Sequence, residues 1–467
     1  MVFSSLTFIF LYLPIVLLLY YITPWKAKNF ILLITGLIFY AWGEPYYVII
    51  MIISTSIDYT AGLLINKFDD KPKIRRIFLI LSVVMNLSLL FTFKYSSFII
   101  TNINSIFGLK LFNPNLPLPI GISFYTFQSM SYTIDLYLGN IKVQKNFTKF
   151  AAYVTMFPQI VAGPIVRYED VERELEDRQI NLTLIGEGVG HFVKGLAKKV
   201  LIANNIGMLW TTVKAMEITS LSTLTAWIGI LAFTFQIYFD FSGYSDMAIG
   251  LGKMLGFHFP KNFDYPYTSR SISEFWRRWH MTLGSWFRSY VYIPLGGNRG
   301  GMGKTLRNLL IVWMLTGLWH GASWNFVVWG LYFGVIIILE RLFLRSILEK
   351  IPATISTAYS FILVVFGWVL FETNTLADAG RYLKAMFGAY GGFIDSNARY
   401  LLTTNIVMFA VCIILSTRVI KQIGDYIATK LPALYQYSAP VLEVILMVIC
   451  TAYLVDSTYN PFLYFRF

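Results

Sequence analysis

The chain has 467 residues, of which 56% are hydrophobic and only 13% are charged. Soluble domains carry about 25% charged residues, so this composition excludes a single water-soluble core and indicates lipid surroundings. The formal net charge of +13 does not indicate nucleic-acid binding, because the Lys and Arg residues lie in short segments between apolar runs, as in membrane proteins with positive cytoplasmic loops.

The first apolar run, residues 6–22, predicts a retained membrane helix rather than a cleaved signal peptide. No Lys or Arg precedes it, Lys26 and Lys28 follow it, and no small-residue cleavage site is evident. This charge distribution predicts an extracytoplasmic N-terminus.

Further apolar runs follow, several of them shorter than the roughly 20 residues that a straight span needs. The runs are Phe30–Trp42, Tyr47–Ile65, Ile77–Phe93, Ile120–Leu138, Phe150–Val166, Trp227–Phe241, Asn308–Trp319, Asn325–Leu339, Ile355–Phe371, Leu401–Leu415 and Val441–Leu454. We expect an all-α polytopic membrane protein, one domain over residues 1–467, with about ten or eleven transmembrane helices plus re-entrant elements. Segments 118–121 and 157–164 contain Pro and Gly and predict broken helices buried within protein.

The distribution of positive charge predicts the orientation of the spans. Residues 67–76, 341–350 and 418–430 are rich in Lys and Arg and are expected in the cytoplasm, which puts the C-terminal segment 457–467 on the outer face. Residues 253–307 hold nine Lys or Arg and two acids, which is too charged a composition to span lipid. We expect them to form a basic cytoplasmic-side or membrane-embedded insertion of short amphipathic helices.

Two features suggest binding sites but are better explained as structure. Cys412 and Cys450 lie inside apolar runs, which predicts two buried thiols and neither a disulfide nor a metal site. The glycine-rich segment 296–305 ends like a P-loop, but Asn298 stands where that motif needs its first Gly. We interpret it as a tight basic turn near a phosphate-bearing ligand, or simply as a loop.

Of the four histidines, His191 and His258 are expected to be structural. His320 lies in an apolar run of small residues, and an ionisable group at membrane depth is a candidate for function. A neutral imidazole there can act as a general base, and Gly317 and Gly321 would let a ligand or backbone approach closely. The alternative is a hydrogen-bonded histidine beside interfacial Trp residues.

A second cluster surrounds His280, with Trp276, Arg277 and Arg278 directly before it. Its cationic groups suit the phosphate or pyrophosphate of an acyl-carrying cofactor. The alternative is a basic amphipathic helix that lies on anionic lipid headgroups.

Two further features are a pair of aspartates within apolar sequence and an aromatic segment near the C-terminus. Asp240 and Asp246 could orient a histidine, bind a cation or hold a broken helix together, and a coupled pair would also permit a proton-coupled transporter. The aromatic segment 459–467, which contains Pro461, could dock into a groove or anchor at the level of the lipid headgroups.

The chain resembles the membrane-bound O-acyltransferase superfamily, and within it the bacterial branch of alginate and peptidoglycan O-acetyltransferase membrane subunits. The motifs that carry the resemblance are Phe-Trp-Arg-Arg-Trp-His at 275–280, Trp-Phe-Arg at 286–288, the segment 292–299, Leu-Trp-His-Gly at 318–321, and the segments 157–167 and 240–246.

The resemblance implies a helical ring around a central tunnel, in the bacterial inner membrane, and the distribution of charge described above predicts that both termini are extracytoplasmic. Acetyl-CoA would be the cytoplasmic donor, with no permanently bound cofactor and no metal. The acetyl group would pass to an extracytoplasmic SGNH or serine-hydrolase-like partner that acetylates a polysaccharide.

The resemblance also implies roles for individual residues. His320 would be the catalytic base and His280 the second signature histidine, with Trp276, Arg277 and Arg278 near the donor. The supporting or structural residues would be Gln159, Arg167, Asp240, Ser242 and Asp246.

The segment 462–467 is similar to the terminal motif of a small peptide that works with the D-alanyl branch, in which a tyrosine is thought to carry the acyl group. We hypothesise that His320 deprotonates Tyr464, whose phenol then relays the acetyl group. The alternatives are D-alanyl transfer to teichoic acid, a silent scaffold, and a proton-coupled transporter, although no inverted repeat is visible in the sequence.

Overall fold

The computed structural model describes residues 1–161, 163–456 and 459–463. About 77% of the chain is helical, and the described residues contain no β-strand. The helices of the first half are α1 (Leu13–Ile22), α2 (Lys28–Gly43), α3 (Val48–Lys67), α4 (Pro72–Leu90), α5 (Ser96–Phe107), α6 (Ile122–Leu138), α7 (Phe147–Thr155), α8 (Phe157–Ile160), α9 (Tyr168–Glu176), α10 (Leu182–Ala197) and α11 (Asn204–Lys214). Those of the second half are α12 (Thr223–Met254), α13 (Ile272–Arg278), α14 (Met281–Phe287), α15 (Met302–His320), α16 (Trp324–Leu339), α17 (Arg345–Leu348), α18 (Ala353–Glu372), α19 (Leu376–Met386), α20 (Ser396–Leu415), α21 (Val419–Lys430) and α22 (Pro432–Asp456).

Short π-helical and 3-10 turns extend or join these helices. The π-helical turns are Phe8–Tyr12, Phe91–Tyr95, Lys198–Ala203, Arg288–Tyr292 and Glu340–Leu344, and the 3-10 turns are Trp25–Ala27, Ile218–Ser220 and Pro266–Thr268. π-helical turns are rare overall, but those that occur are often found at functional sites. One of them, Lys198–Ala203, contains the buried residue Lys199.

Seven helical segments of the described chain are long and apolar enough to cross a membrane, by length and composition. They are Val48–Lys67, Pro72–Phe107, Thr223–Met254, Trp324–Leu348, Ala353–Glu372, Ser396–Leu415 and Pro432–Asp456. Their burial differs widely. In the most apolar 18-residue stretch of Thr223–Met254, 83% is buried inside the protein, but in that of Pro432–Asp456 only 6% is buried. The exposed side chains of α22 are mostly apolar, which suits lipid contact. The expected all-α polytopic membrane fold is confirmed.

The predicted break near residue 157 is present. α7 ends at Thr155, Met156 has extended backbone angles, and α8 is a single turn that begins at Phe157. Pro158 fits the first turn of α8, where its missing N–H costs nothing. Residues 164–167 are not helical.

The predicted run Trp227–Phe241 differs from the structure, because α12 continues to Met254 without a break. Asp240 and Asp246 therefore lie inside one continuous helix and do not hold a broken helix together. The polar sequence after Phe241 suggested an end to the span, but Ser242 and Ser245 are buried within the protein.

Contacts along the chain define two compact units. The first consists of residues 1–192 and 245–260, and its core contains a cluster of aromatic rings that includes Phe8, Tyr12, Phe39 and Phe157. The second consists of residues 193–244 and those from 261 onward. Its core is also aromatic, and it contains both His280 and His320.

Candidate active site

His320 is the last residue of α15 and is only 5% exposed. Its ring lies edge-on to the rings of Trp319, Trp329 and Phe371, with centroids 5.1, 4.9 and 5.4 Å away. The C-terminal end of a helix carries partial negative charge. The imidazole therefore lies at the negative end of the α15 helix dipole.

Glycines set the distance between α15 and α16 beside this histidine. A Cβ added to Gly317 would lie 2.2 Å from the carbonyl oxygen of Phe326, and one added to Gly330 would lie 2.3 Å from that of Trp313. A Cβ on Gly321 would lie 2.1 Å from the Phe326 ring. The small residues around His320 thus allow the backbones of α15 and α16 and the Phe326 ring to approach closely.

His280 is held in a left-handed backbone conformation between α13 and α14. Its φ is 46° and its ψ is 52°, a region that costs a non-glycine residue of order 1–3 kcal/mol. Its Nδ1 lies 3.2 Å from Oδ1 of Asn262, which also accepts a hydrogen bond from the Thr282 hydroxyl. Its ring contacts Trp319 at 5.9 Å, so both histidines pack against one indole ring.

The helix before His280 is anchored at its N-terminus. Ser271 Oγ accepts the N–H of Glu274 at 3.0 Å, as an N-cap does. The buried Glu340 carboxylate accepts the N–H groups of Ile272 and Ser273 at 2.6 and 2.8 Å. Backbone N–H groups that would otherwise lack partners are thereby satisfied, and α13 is fixed in place.

The three residues that were expected near the donor, Trp276, Arg277 and Arg278, lie in different surroundings. The Trp276 ring packs against Trp313 and Trp329, with centroids 4.9 and 5.4 Å away. Arg278 forms an ion pair with Glu274 at 2.5 Å and donates to a threonine hydroxyl. Arg277 is exposed and lines a cavity of about 650 Å3.

This basic cavity brings together cations from separate parts of the second unit. Besides Arg277, the arginines in its lining are Arg270, Arg341 and Arg345. Arg345 pairs with Glu349, and Glu340 is engaged by the N-terminus of α13. The cavity can therefore offer guanidinium groups to an anionic ligand.

Asp240 lies in the middle of α12 and is buried with Lys199, which belongs to the π-helical turn after α10. The Lys199 Nζ and Asp240 Oδ1 atoms are 2.6 Å apart, and both side chains are at most 3% exposed. A Cβ on Gly243 would lie 2.7 Å from the carbonyl oxygen of Gly195, so this glycine lets α12 approach that turn.

The other polar residues of this motif lie elsewhere on α12. Ser242 is fully buried, whereas Asp246 is half-buried. Six positions correspond to about 600° of helical rotation, so Asp246 and Asp240 face directions about 120° apart. The two carboxylates therefore do not form the coupled pair on which a proton-transport interpretation depends.

Residues 459–463 dock into the second unit. The Tyr459 hydroxyl lies 3.0 Å from Thr211 Oγ1, and the Asn204 amide donates to Asn460 Oδ1 at 3.2 Å. Phe462 and Leu463 are buried, and the Phe462 ring packs on Tyr244 with centroids 4.6 Å apart. Tyr464, the proposed acyl relay, lies outside the described residues.

A small cavity joins this docked segment to His320. Its volume is about 20 Å3, and its lining includes His320, Asp240, Phe462 and Leu463. Aromatic rings form much of the remaining wall. This volume accommodates about one water molecule, so the imidazole shares a nearly dry space with a carboxylate and with the residues just before Tyr464.

Gln159 and Arg167 lie in the first unit, where they support the chain around the break after α7. Gln159 donates to the carbonyl oxygen of Tyr153, and Arg167 pairs with Glu169 at 3.0 Å. His258 is exposed and its Nδ1 lies 2.6 Å from the Glu174 carboxylate, which agrees with the structural role expected for it.

Sequence reasoning did not identify Lys199 or Asn262 as site residues. The Asn262 side chain contacts a histidine 18 positions away, and neither residue lies in a recognisable motif. The only signal for Lys199 was indirect: a carboxylate buried in an apolar helix, such as that of Asp240, requires a cation or several hydrogen-bond donors as partners.

Comparison with known proteins identifies the family to which the chain belongs. The sequence profile described as "MBOAT, membrane-bound O-acyltransferase family" matches residues 122–373, which include Asp240, His280 and His320. The chain is 43% identical over 391 residues to the "Probable alginate O-acetylase AlgI" of Pseudomonas aeruginosa, covering 83% of this chain and 75% of that protein. It is 38% identical over 490 residues to the protein with the same description from Pseudomonas putida, covering all of both chains. It is 35% identical over 426 residues to the "Peptidoglycan O-acetyltransferase" of Helicobacter pylori, covering 84% of this chain and 80% of that protein.

The close contact of α15 and α16 can be tested by Gly317→Ala. The new methyl group cannot fit beside the Phe326 carbonyl without moving backbone, so we expect a loss of about 1–3 kcal/mol in stability and a lower midpoint of thermal unfolding. Gly303→Ala on the same helix is the matched control, since a Cβ there meets nothing within 4 Å. Equal unfolding midpoints for the two variants would contradict the assignment of Gly317 as a packing contact.

Proposed function

The chain belongs to the membrane-bound O-acyltransferase family and is an acyltransferase, and from this premise we propose that it transfers acetyl from cytoplasmic acetyl-CoA for O-acetylation of a cell-surface or extracellular polysaccharide. The observation that carries the proposal is the burial of His320 in an aromatic, nearly dry cavity beside the docked segment 459–463. The relatives named alginate O-acetylase and peptidoglycan O-acetyltransferase support polysaccharide as the acceptor, either an alginate-like polymer or peptidoglycan.

His320 is the general base of the proposed reaction. It removes the proton of the Tyr464 hydroxyl, and the phenolate oxygen attacks the thioester carbonyl of acetyl-CoA. The C–S bond breaks, and the thiolate of coenzyme A leaves and takes up the proton from the imidazolium. A phenol suits this step because its pKa of about 10 makes it easier to ionise than an aliphatic alcohol.

The position of the docked segment supports the choice of Tyr464. Leu463 lines the cavity that contains the His320 ring, and the phenol belongs to the next residue along the chain. The nearly dry surroundings favour the reaction, since charge–charge and hydrogen-bond interactions are stronger where water is excluded.

The basic cavity beside Arg277 is proposed to hold the phosphates of acetyl-CoA. Guanidinium groups bind phosphate in two-pronged geometry, and Arg270, Arg277 and Arg341 line this cavity. Trp276, the neighbour of Arg277, packs on Trp329, which packs on His320. The acetyl-bearing arm of the donor would pass along these rings to His320.

The transfer is proposed to run from the inner to the outer face of the bacterial inner membrane. The Lys- and Arg-rich segments support a cytoplasmic donor side, and the outward position predicted for residues 457–467 supports an outer acceptor side. The acetyl ester on Tyr464 would then pass to a serine-hydrolase-like partner, which acetylates the polysaccharide.

The second candidate function is D-alanyl transfer to teichoic acid. Two proteins described as teichoic acid D-alanyltransferases match about half of this chain, at 31% and 27% identity. Both reactions use an activated acyl donor, so the donor separates them: acetyl-CoA in one and a D-alanyl carrier protein in the other.

The proposed reaction predicts that purified protein incubated with isotope-labelled acetyl-CoA carries the label on Tyr464. We expect no label on Tyr464 in His320→Ala, because the base is missing, and none in Tyr464→Phe. The measurement is mass spectrometry of the peptide that contains residues 459–467. Removal of residues 460–467 should likewise abolish polysaccharide acetylation while the protein remains folded.

The matched controls are His258→Ala, which removes a surface histidine, and Tyr453→Phe, which alters an exposed tyrosine on α22. Both should be labelled like the unaltered protein. Acetylation of the polymer by the protein that lacks residues 460–467 would contradict the relay, and hydrolysis of acetyl-CoA without label would point to direct transfer to the partner.

The proposed donor site predicts that Arg277→Gln raises the KM for acetyl-CoA about tenfold and changes kcat little. The reason is that one charge-assisted contact to phosphate, worth about 1.5–3 kcal/mol, is lost at a distance from the reacting atoms. Steady-state release of coenzyme A measures both constants. Arg381→Gln, which removes an arginine paired with Asp378, is the control, and an unchanged KM in Arg277→Gln would place the phosphates elsewhere.

A further inference from the structure

The ion pair of Lys199 and Asp240 does more than neutralise two buried charges. Lys199 donates from its Nζ to the carbonyl oxygen of Pro461, and Asp240 accepts the N–H of Leu463 at 2.9 Å. We propose that Lys199 and Asp240 are positioning residues, a clamp that holds the backbone of residues 461–463 in one register against His320.

The charges match the backbone dipoles that they contact. The cation faces a carbonyl oxygen, the anion faces an N–H group, and two charged side chains thereby bind one short stretch of backbone. Because the contacts are made to backbone, they fix the position of the segment rather than select its side chains.

The ion pair also depends on the segment. A buried carboxylate and ammonium that meet only each other leave lone pairs and N–H groups unsatisfied, and such pairs gain little or lose stability. The carbonyl of Pro461 and the N–H of Leu463 supply part of what is missing. Docking of the segment and burial of the ion pair should therefore stabilise each other.

The neighbouring side chains show why register matters. Phe462 packs on Tyr244, and Leu463 lines the His320 cavity. A shift of the segment by one residue would move Phe462 away from Tyr244 and Leu463 out of the His320 cavity. It would also separate the Leu463 N–H from the Asp240 carboxylate and the Pro461 carbonyl from the Lys199 ammonium.

The docking itself stands on these contacts alone. Its consequence for catalysis rests on the proposed function, in which the residue that follows Leu463 carries the acetyl group. The test therefore measures docking and acetyl transfer separately on the same full-length protein.

The first variant is the double change Lys199→Met with Asp240→Leu, which removes both charges and so leaves no orphaned ion. The second is Asp240→Asn, which retains an acceptor oxygen but loses the negative charge. The matched control is Glu443→Gln, which removes a partly exposed ion pair with Lys194 in the same unit.

Hydrogen–deuterium exchange of the Leu463 amide, followed by mass spectrometry of the detergent-solubilised protein, reports docking. We expect exchange at least about tenfold faster in the double variant, a smaller increase in Asp240→Asn, and no change in Glu443→Gln. Amides within α18 should remain as protected as in the unaltered protein, which distinguishes local undocking from unfolding. Unchanged protection of Leu463 in the double variant would overturn the clamp.

Acetyl labelling of the same variants with isotope-labelled acetyl-CoA then tests the link to catalysis. The clamp predicts that kcat falls in parallel with the loss of protection, while KM for acetyl-CoA stays constant because the donor site is not altered. Faster exchange with full transfer activity would keep the clamp but overturn the relay through Tyr464. Lost activity with unchanged protection would overturn the clamp and assign Lys199 and Asp240 to the chemistry itself.

Discussion

A charge that leaves water for a protein interior loses several kcal/mol of hydration, which the protein must replace with charges and dipoles of its own. In the second unit this requirement falls on Asp240, and its solution draws together three distant stretches of chain. Lys199 comes from the turn after α10, the carboxylate from the middle of α12, and the backbone groups from residues 461–463. Their meeting forms one side of the cavity in which the His320 ring lies.

Aromatic rings of the second unit form the rest of the surroundings of the two histidines. Trp319 lies between the two histidines, and Trp329 and Phe371 cover the His320 ring. Such rings exclude water and leave few polar groups to compete for a proton, while the arginine-lined cavity lies where water can reach it. The second unit thus contains a nearly dry cavity beside His320 and a separate arginine-lined cavity.

Much of the fold could be predicted from the sequence, and so could the two histidines. Composition and apolar runs indicate an all-α membrane protein, and the motifs around His280 and His320 lead to the family that the comparisons confirm. The ion pair of Glu274 with Arg278 could also be predicted from the sequence, because side chains four residues apart on a helix are neighbours. The contacts of Lys199 and Asn262 could not, because their partners come from other segments and depend on how helices pack in three dimensions.

The order in which the chain is synthesised gives the docked segment another significance. Leu463 leaves the ribosome 223 residues after Asp240, by which time the helices around that carboxylate can already have entered the membrane. Until then Asp240 and Lys199 have each other but not the backbone groups that complete their shell. The shell of polar groups around Asp240 is therefore completed only after residues 461–463 have been synthesised, so it forms by post-insertion docking and not during insertion of the helix that carries the carboxylate.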